Sequence, residues 1–290
     1  MKQIEILSIL PFTGNEISSK GSKKQLSGIS TGFPSLDYFT DGFQKSDLIV
    51  IASNSAMEKS FFAINIAKIV TEQKKGVLFF SLEMPPSDII QHMFGPEAKI
   101  NGSKIWLDAF SNGDYEELLG IAESKSGFPL IIDGSQLLSV ARLRELLCKM
   151  HENKKISPIS LIIIDSFQFI QSAQMQNVEK EREKFSRIFH DLKLLARELS
   201  LPVICLAGLN DAFEGGVGKK PNLIDLRESG LLEPTADVVF FLHCDRGLIR
   251  ENKMVQTKVE LVVVKQRNGP VGDFQLNFDP KSGLFSESSE

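Results

Sequence analysis

The feature that most limits how this chain can fold is a set of apolar runs without alternation. Asp47–Ser53 (DLIVIAS), Gly76–Leu82 (GVLFFSL), Ile159–Ile164 (ISLIII) and Pro202–Ala207 are apolar at nearly every position. A strand with one wet face alternates apolar and polar residues. Runs like these need cover on both faces, which a parallel sheet with crossover helices supplies. Helical patterns fill the intervals. Lys59–Val70 is apolar around much of its circumference, and Pro85–Phe94, Tyr115–Lys125 and Ala141–His151 are shorter helices. Roughly Val178–Leu199 forms a long one, with Phe185, Ile188, Phe189, Leu192, Leu195 and Leu199 at three- and four-residue steps. Further strands are predicted at Pro129–Asp133, Asp237–Leu242, Val259–Val264 and Asp273–Phe278. The turn Asn268–Gly269–Pro270 joins the last two, so the sheet ends in an antiparallel extension. The prediction is one α/β domain over 30–290: a mostly parallel central sheet with helices on both faces and an antiparallel C-terminal extension. Residues 1–29 read as a flexible N-terminal linker, rich in Ser, Gly and Lys from residue 11 on.

Charge narrows the function. The 290 residues carry 33 Lys+Arg against 37 Asp+Glu, a formal net charge of −4. A globally basic coat for nucleic acid is excluded. Any DNA or RNA contact has to be local, in loops or in a pore built by several copies. Cys148, Cys205 and Cys244 have neither disulfide nor zinc spacing and are expected to be buried small hydrophobes. The four histidines make no ligand set. No apolar run reaches spanning length, so a reducing, cytoplasmic compartment is expected, and no membrane partner.

Open α/β sheets bind ligands at the carboxyl ends of their strands. The first strand leads through Ser53–Asn54–Ser55–Ala56–Met57–Glu58–Lys59–Ser60 into a helix. Lys59 and Ser60 fit the end of the phosphate-binding pattern G-x-x-x-x-G-K-[ST], but its glycine positions hold Ser53 and Glu58. Asp165 closes the strand Leu161–Ile164, as a magnesium-holding aspartate does. Glu83 follows the strand Gly76–Leu82, where a carboxylate can orient and deprotonate an attacking water. Alone, Lys59 reads as a solvated helix-start lysine and Asp165 as a turn residue. In this order, the three point to a nucleoside triphosphatase fold.

Longer blocks carry a resemblance. Ser30–Ala67, Phe79–Met84 (FFSLEM), Leu161–Phe169 (LIIIDSFQF), Ala196–Asn210, Asp225–Gly230 (DLRESG) and Lys265–Pro270 (KQRNGP) occur in the order of one known family. They are similar to the C-terminal RecA-like ATPase domain of DnaB-type replicative DNA helicases. The resemblance covers roughly 30–286 and implies a RecA-like P-loop NTPase fold using ATP and Mg2+. It implies that Ser55, Ala56, Met57 and Glu58 lie in the phosphate loop and that Lys59 contacts the β/γ-phosphates. Ser60 and Asp165 would hold the metal, with Glu83 as the catalytic carboxylate. Lys265 and Arg267 would reach a neighbouring subunit's γ-phosphate, Arg267 as an arginine finger. A hexameric ring drawing single-stranded DNA through its pore is implied as well. The family's primase-binding N-terminal helical domain has no counterpart in this sequence.

The departures from the family pattern cluster where phosphate is handled. Glycine before the lysine lets backbone N–H groups close on phosphate; here the residue is Glu58. Two like unit charges about 4 Å apart repel by roughly 4 kcal/mol at an effective dielectric near 20. Alternatively, a carboxylate at a helix N-terminus is favoured by the dipole and can itself take the anion site. The family's γ-phosphate-sensing Gln is Gly208, and the arginine after it is Asp211. Ser46 replaces the glycine expected in the tight turn before the first strand. The loop Asp211–Asn222 carries only Lys219 and Lys220 as cations. Gln171–Lys184 interleaves Lys180, Arg182 and Lys184 with three glutamates, the pattern of a solvated helix face. Two functions fit this sequence. One is an ATP-dependent helicase with an impaired nucleotide site, working as a homo-oligomer. The other is a weak or inactive paralogue serving as a regulatory or structural subunit, for example in a hetero-ring with a helicase.

Overall fold

The computed structural model describes residues 26–53, 56–100, 104, 111–125, 127–135, 138–152, 158–171, 181–209, 235–243 and 257–287. Its centre is one nine-stranded sheet. The strands in chain order are β1 (Leu48–Ser53), β2 (Gly76–Ser81), β3 (Leu130–Asp133), β4 (Ile159–Asp165), β5 (Val203–Gly208), β6 (Val238–His243), β7 (Thr257–Gln266), β8 (Gly272–Asp279) and β9 (Leu284–Glu287). They lie side by side as β3-β2-β4-β5-β1-β6-β7-β8-β9. The first six in that order are parallel, and β7, β8 and β9 are antiparallel.

Alternate residues of the central strands feed two cores. From β1, Ile49 and Ile51 face one core while Leu48, Val50 and Ala52 face the other. Helices α2 (Ala56–Glu72), α3 (Pro86–Phe94) and α4 (Asn112–Ser124) cover the first face, inserting Phe62, Ile66, Ile89 and Leu118. Helices α5 (Val140–Glu152) and α6 (Glu181–Leu199) cover the second, through Leu143, Leu147, Phe189 and Leu192. This two-sided cover is the reason the strand sequences lack alternation. The mostly parallel α/β architecture with its antiparallel extension is therefore the one expected from the sequence.

Several elements go beyond the sequence pattern. Helix α1 (Pro34–Thr40) is a short helix with proline in its first turn, and Phe167–Phe169 is one turn of 3-10 helix. Strand β9 leaves little apolar signal because only Phe285 in it is buried. Gly28 and Ile29 already hydrogen-bond to Asp41 and Phe43. Cys205 is buried as expected, but Cys148 is exposed. It lies beside, not on, the α5 stripe that buries Leu143 and Leu147, so its expected burial is corrected. Cys244 lies outside the described residues.

Candidate nucleotide site and its family

The tips of β1, β2, β4 and β5 share one end of the sheet, and register sets their side chains together. Ser81 of β2 lies beside Asp165 of β4, and Ser53 of β1 beside Gly208 of β5. The Asp165 carbonyl accepts N–H bonds from Leu82 (2.6 Å) and Glu83 (3.2 Å), which fixes Glu83 next to the Asp165 tip. Helix α2 begins just beyond β1 and brings Lys59 and Ser60 against the same tips. Of the predicted loop, Ser55 lies outside the described residues, and Ala56, Met57 and Glu58 form the first turn of α2.

Lys59 is 2% exposed, so it is no solvated helix-start lysine. Its ammonium faces Glu83 Oε2 at 3.5 Å, and the Glu83 side chain remains 32% exposed. Asp165 is fully buried, and both of its carboxylate oxygens lack a hydrogen-bond partner among the described residues. Burial pushes its carboxyl up to about 6, opposed by the Ser60 hydroxyl and the Lys59 ammonium and reinforced by Glu83. The Ser60 hydroxyl is thus close enough to favour the charged carboxylate, although it stops short of a well-directed hydrogen bond. An acidic side chain with unmatched oxygens beside a hydroxyl suits a hard cation such as Mg2+, which takes few protein ligands and completes its shell with phosphate and water. No cluster of three or more Asp, Glu, His or Cys able to hold a metal occurs among the described residues. A cation shared with phosphate fits this site better than a closed protein cage.

Gln168 joins the site without a sequence signal. Its Nε2 donates to the Gly208 carbonyl at 3.1 Å, and its buried Oε1 has no partner among the described residues. No residue pattern announces it, since the contact joins positions forty residues apart. A Cβ added at Gly208 would meet only Gln168 Nε2, at 3.6 Å, so the missing side chain there is not imposed by packing.

Lys265 and Arg267 stand apart from this group. Lys265 lies opposite Val239 on β7, and Arg267 follows that strand. Both are at the base of the sheet, where β6 begins. The six residues of β1 separate the two ends by roughly 17 Å. The loop Asp211–Asn222 with Lys219 and Lys220, the segment Asp225–Gly230, and residues 172–180 lie outside the described residues.

The family model of the DnaB-like helicase C terminal domain matches residues 28–287. The chain belongs to this family. A probable replicative DNA helicase of Trieres chinensis is 39% identical over 267 residues, covering 91% of this chain and 58% of that protein. The replicative DNA helicase DnaB of Geobacillus stearothermophilus is 37% identical over 257 residues, covering 88% and 55%. The DnaB-like domain described here thus spans little more than half the length of these relatives. Among solved structures, one of an isolated ATPase domain superposes with a TM-score of 0.78 at 30% identity, covering 92% of this chain and 94% of that one. A DnaB-like replicative helicase studied for its interactions with primase gives 0.79 at 30% identity, covering 92% and 65%. The fold is RecA-like, as the sequence resemblance implied.

Proposed function

We propose that this DnaB-like domain is the motor of a replicative DNA helicase, binding ATP with Mg2+ and hydrolysing it to unwind DNA. The observation that carries this reading is the group Lys59, Ser60, Glu83 and Asp165 at one end of the sheet, with Lys59 and Asp165 desolvated. Lys59 is placed to contact the β/γ-phosphates from the start of α2, where the helix dipole also favours anions. Glu83 sits beside Lys59 with its carboxylate still partly open to water, as a group that orients and deprotonates a nucleophile must. Ser60 and Asp165 are the residues that would hold the cation, which supplies charge neutralisation on the phosphate oxygens when bound. Burial of Asp165 excludes water from that side and strengthens each charge interaction. Lys265 and Arg267, remote from their own chain's site, serve the site of a neighbouring copy, Arg267 as arginine finger. That division requires a neighbouring copy, and the family resemblance makes the assembly a hexameric ring with single-stranded DNA in its pore.

The test is ATP–Mg2+ binding by calorimetry and ATP hydrolysis with and without single-stranded DNA. Hydrolysis stimulated by DNA and lost in Lys59→Met supports the motor. Absence of nucleotide binding instead supports the regulatory or structural subunit. Glu58→Gly is expected to tighten ATP binding at least about tenfold, from removal of a charge repulsion worth more than about 1.4 kcal/mol. An unchanged affinity would dispose of any effect of Glu58 on the phosphate site.

A further inference from the structure

A second polar cluster lies at the base of the sheet, around Asp237, just before β6. Asp237 is 4% exposed, and its two carboxylate oxygens have separate tasks. Oδ2 accepts the Leu48 N–H at 2.8 Å and the Lys193 ammonium, which also donates to the Ser46 carbonyl at 2.7 Å. Those bonds tie the starts of β1 and β6 to α6, and they meet the demands that folding makes on this carboxylate. Oδ1 is turned the other way, toward Arg267 Nε at 3.3 Å. The main chain reinforces this contact, because Arg267 N–H donates to the Asp237 carbonyl at 3.0 Å. The turn after β7 is pinned from its other side, where Gln266 Nε2 donates to the Phe39 carbonyl at 2.9 Å. Arg267 itself is 49% exposed, at the rim of a cavity lined also by Thr40, Gln44, Asp47 and Asn268.

An exposed arginine ordinarily samples many rotamers, and the freedom it loses on binding weakens what it can stabilise. A buried carboxylate at Nε removes much of that freedom in advance, because Nε lies in the guanidinium plane and fixes its orientation. We infer that Asp237 is a positioning residue for Arg267, holding its guanidinium by Nε so that its exposed head is presented ready for the ATP site of a neighbouring copy. The inference rests on the helicase-motor reading given above. The separation of the two oxygens distinguishes it from a purely structural role: the strand and helix bonds use Oδ2, and Oδ1 serves the arginine.

The test is DNA-stimulated ATP hydrolysis by the assembled wild type, Asp237→Asn, Arg267→Ala and the double variant, with melting temperatures for all. Asp237→Asn keeps an oxygen for the Leu48 N–H and is expected to lower kcat about tenfold with KM for ATP within twofold. Arg267→Ala is expected to lower kcat by roughly 10²-fold or more. The double variant should match Arg267→Ala within twofold, because a positioning residue has nothing left to position. Lys193→Met is the structural control. It removes the bonds to Oδ2 and to the Ser46 carbonyl but leaves the Oδ1–Arg267 contact, so it should lower the melting temperature and leave kcat within twofold well below melting. If Asp237→Asn does not fold, combining it with Lys193→Met removes the stranded ammonium and allows the same comparison. Multiplicative losses in the double variant, an unchanged kcat in Asp237→Asn, or a loss confined to KM overturns the inference while leaving the motor intact. A wild type that hydrolyses no ATP overturns the motor reading, and this inference with it.

Discussion

Asp165 concentrates the energetics of the candidate nucleotide site in one side chain. Its carboxyl, raised to about 6 by burial, favours the proton in the folded protein. For such an acid the folded state binds the proton more tightly than the unfolded state, so its contribution is present at low pH and is lost as pH rises from about 4 to about 6. At about 1.4 kcal/mol per pKa unit, the charged form costs the nucleotide-free domain about 3 kcal/mol at neutral pH. Asp165→Asn is therefore expected to raise the melting temperature of the nucleotide-free protein by several degrees at pH 8, at about 2–4 °C per kcal/mol. The same substitution should abolish the stabilisation given by ATP–Mg2+ and cut hydrolysis by roughly 10²-fold. A melting temperature that falls, or an ATP shift that persists, refutes this account. At this scale much is legible in the sequence. Lys59, Ser60, Glu83 and Asp165 stand out by residue type and by position relative to apolar runs, and these four are the ones brought together. Gln168, Lys193 and Asp237 do not, because their partners lie 40, 44 and 189 residues away and no spacing encodes such contacts.

Elements are legible where burial leaves a periodic trace. The strands β1 to β8 and the long helices follow their apolar runs closely. The short α1 and β9, each with few buried side chains, leave no such trace. Two junctions between elements carry testable consequences. Gly76 opens β2 where the register with β4 shifts, and a Cβ there would run into the Pro158 carbonyl oxygen. Gly76→Ala should cost about 1–3 kcal/mol, read as a lower urea midpoint at constant slope. Before β1, Ser46 adopts φ 68 where the family pattern has glycine, so the tight turn keeps its left-handed residue without glycine itself. The next residue, Asp47, has its carboxyl raised to about 6 by burial and by Asp237, against the opposing pull of Lys193 and Arg267. Its contribution likewise falls as pH rises from about 4 to about 6. Asp47→Asn should raise the melting temperature at pH 7.5, with the gain vanishing at pH 4. A gain independent of pH would show that its charge is not the cause.

The whole molecule divides the proposed reaction between two ends. Lys59 and Glu83 lie at the tips of the parallel strands, and Arg267 at their base, roughly 17 Å away along β1. A single copy cannot bring them onto one phosphate. On dilution below the concentration at which copies associate, ATP binding should persist while hydrolysis per chain falls at least tenfold, measured beside the mass in solution. Constant specific activity across that range would remove the neighbour's arginine from the mechanism. The net charge of −4 also gains meaning at this scale. Asp237 is paired with Lys193 and Arg267, and Lys59 faces Glu83 beside Asp165, unmatched among the described residues, so each site's charge is set by its own neighbours and overall acidity reports little about either. No helix among the described residues is long and apolar enough to cross a membrane.

Glu287 in β9 accepts bonds from the Ser35 N–H (2.7 Å) and hydroxyl (3.1 Å) at the start of α1, so the two ends of the domain are stitched at one corner. With β9, β8 and β7 stacked outward from β6, β9 is the edge strand, and Asn65 of α2 also holds it, donating to the Gly283 carbonyl at 2.9 Å and accepting the Phe285 N–H at 3.2 Å. That corner therefore couples the C-terminal edge of the sheet both to α1 and to the helix that carries Lys59.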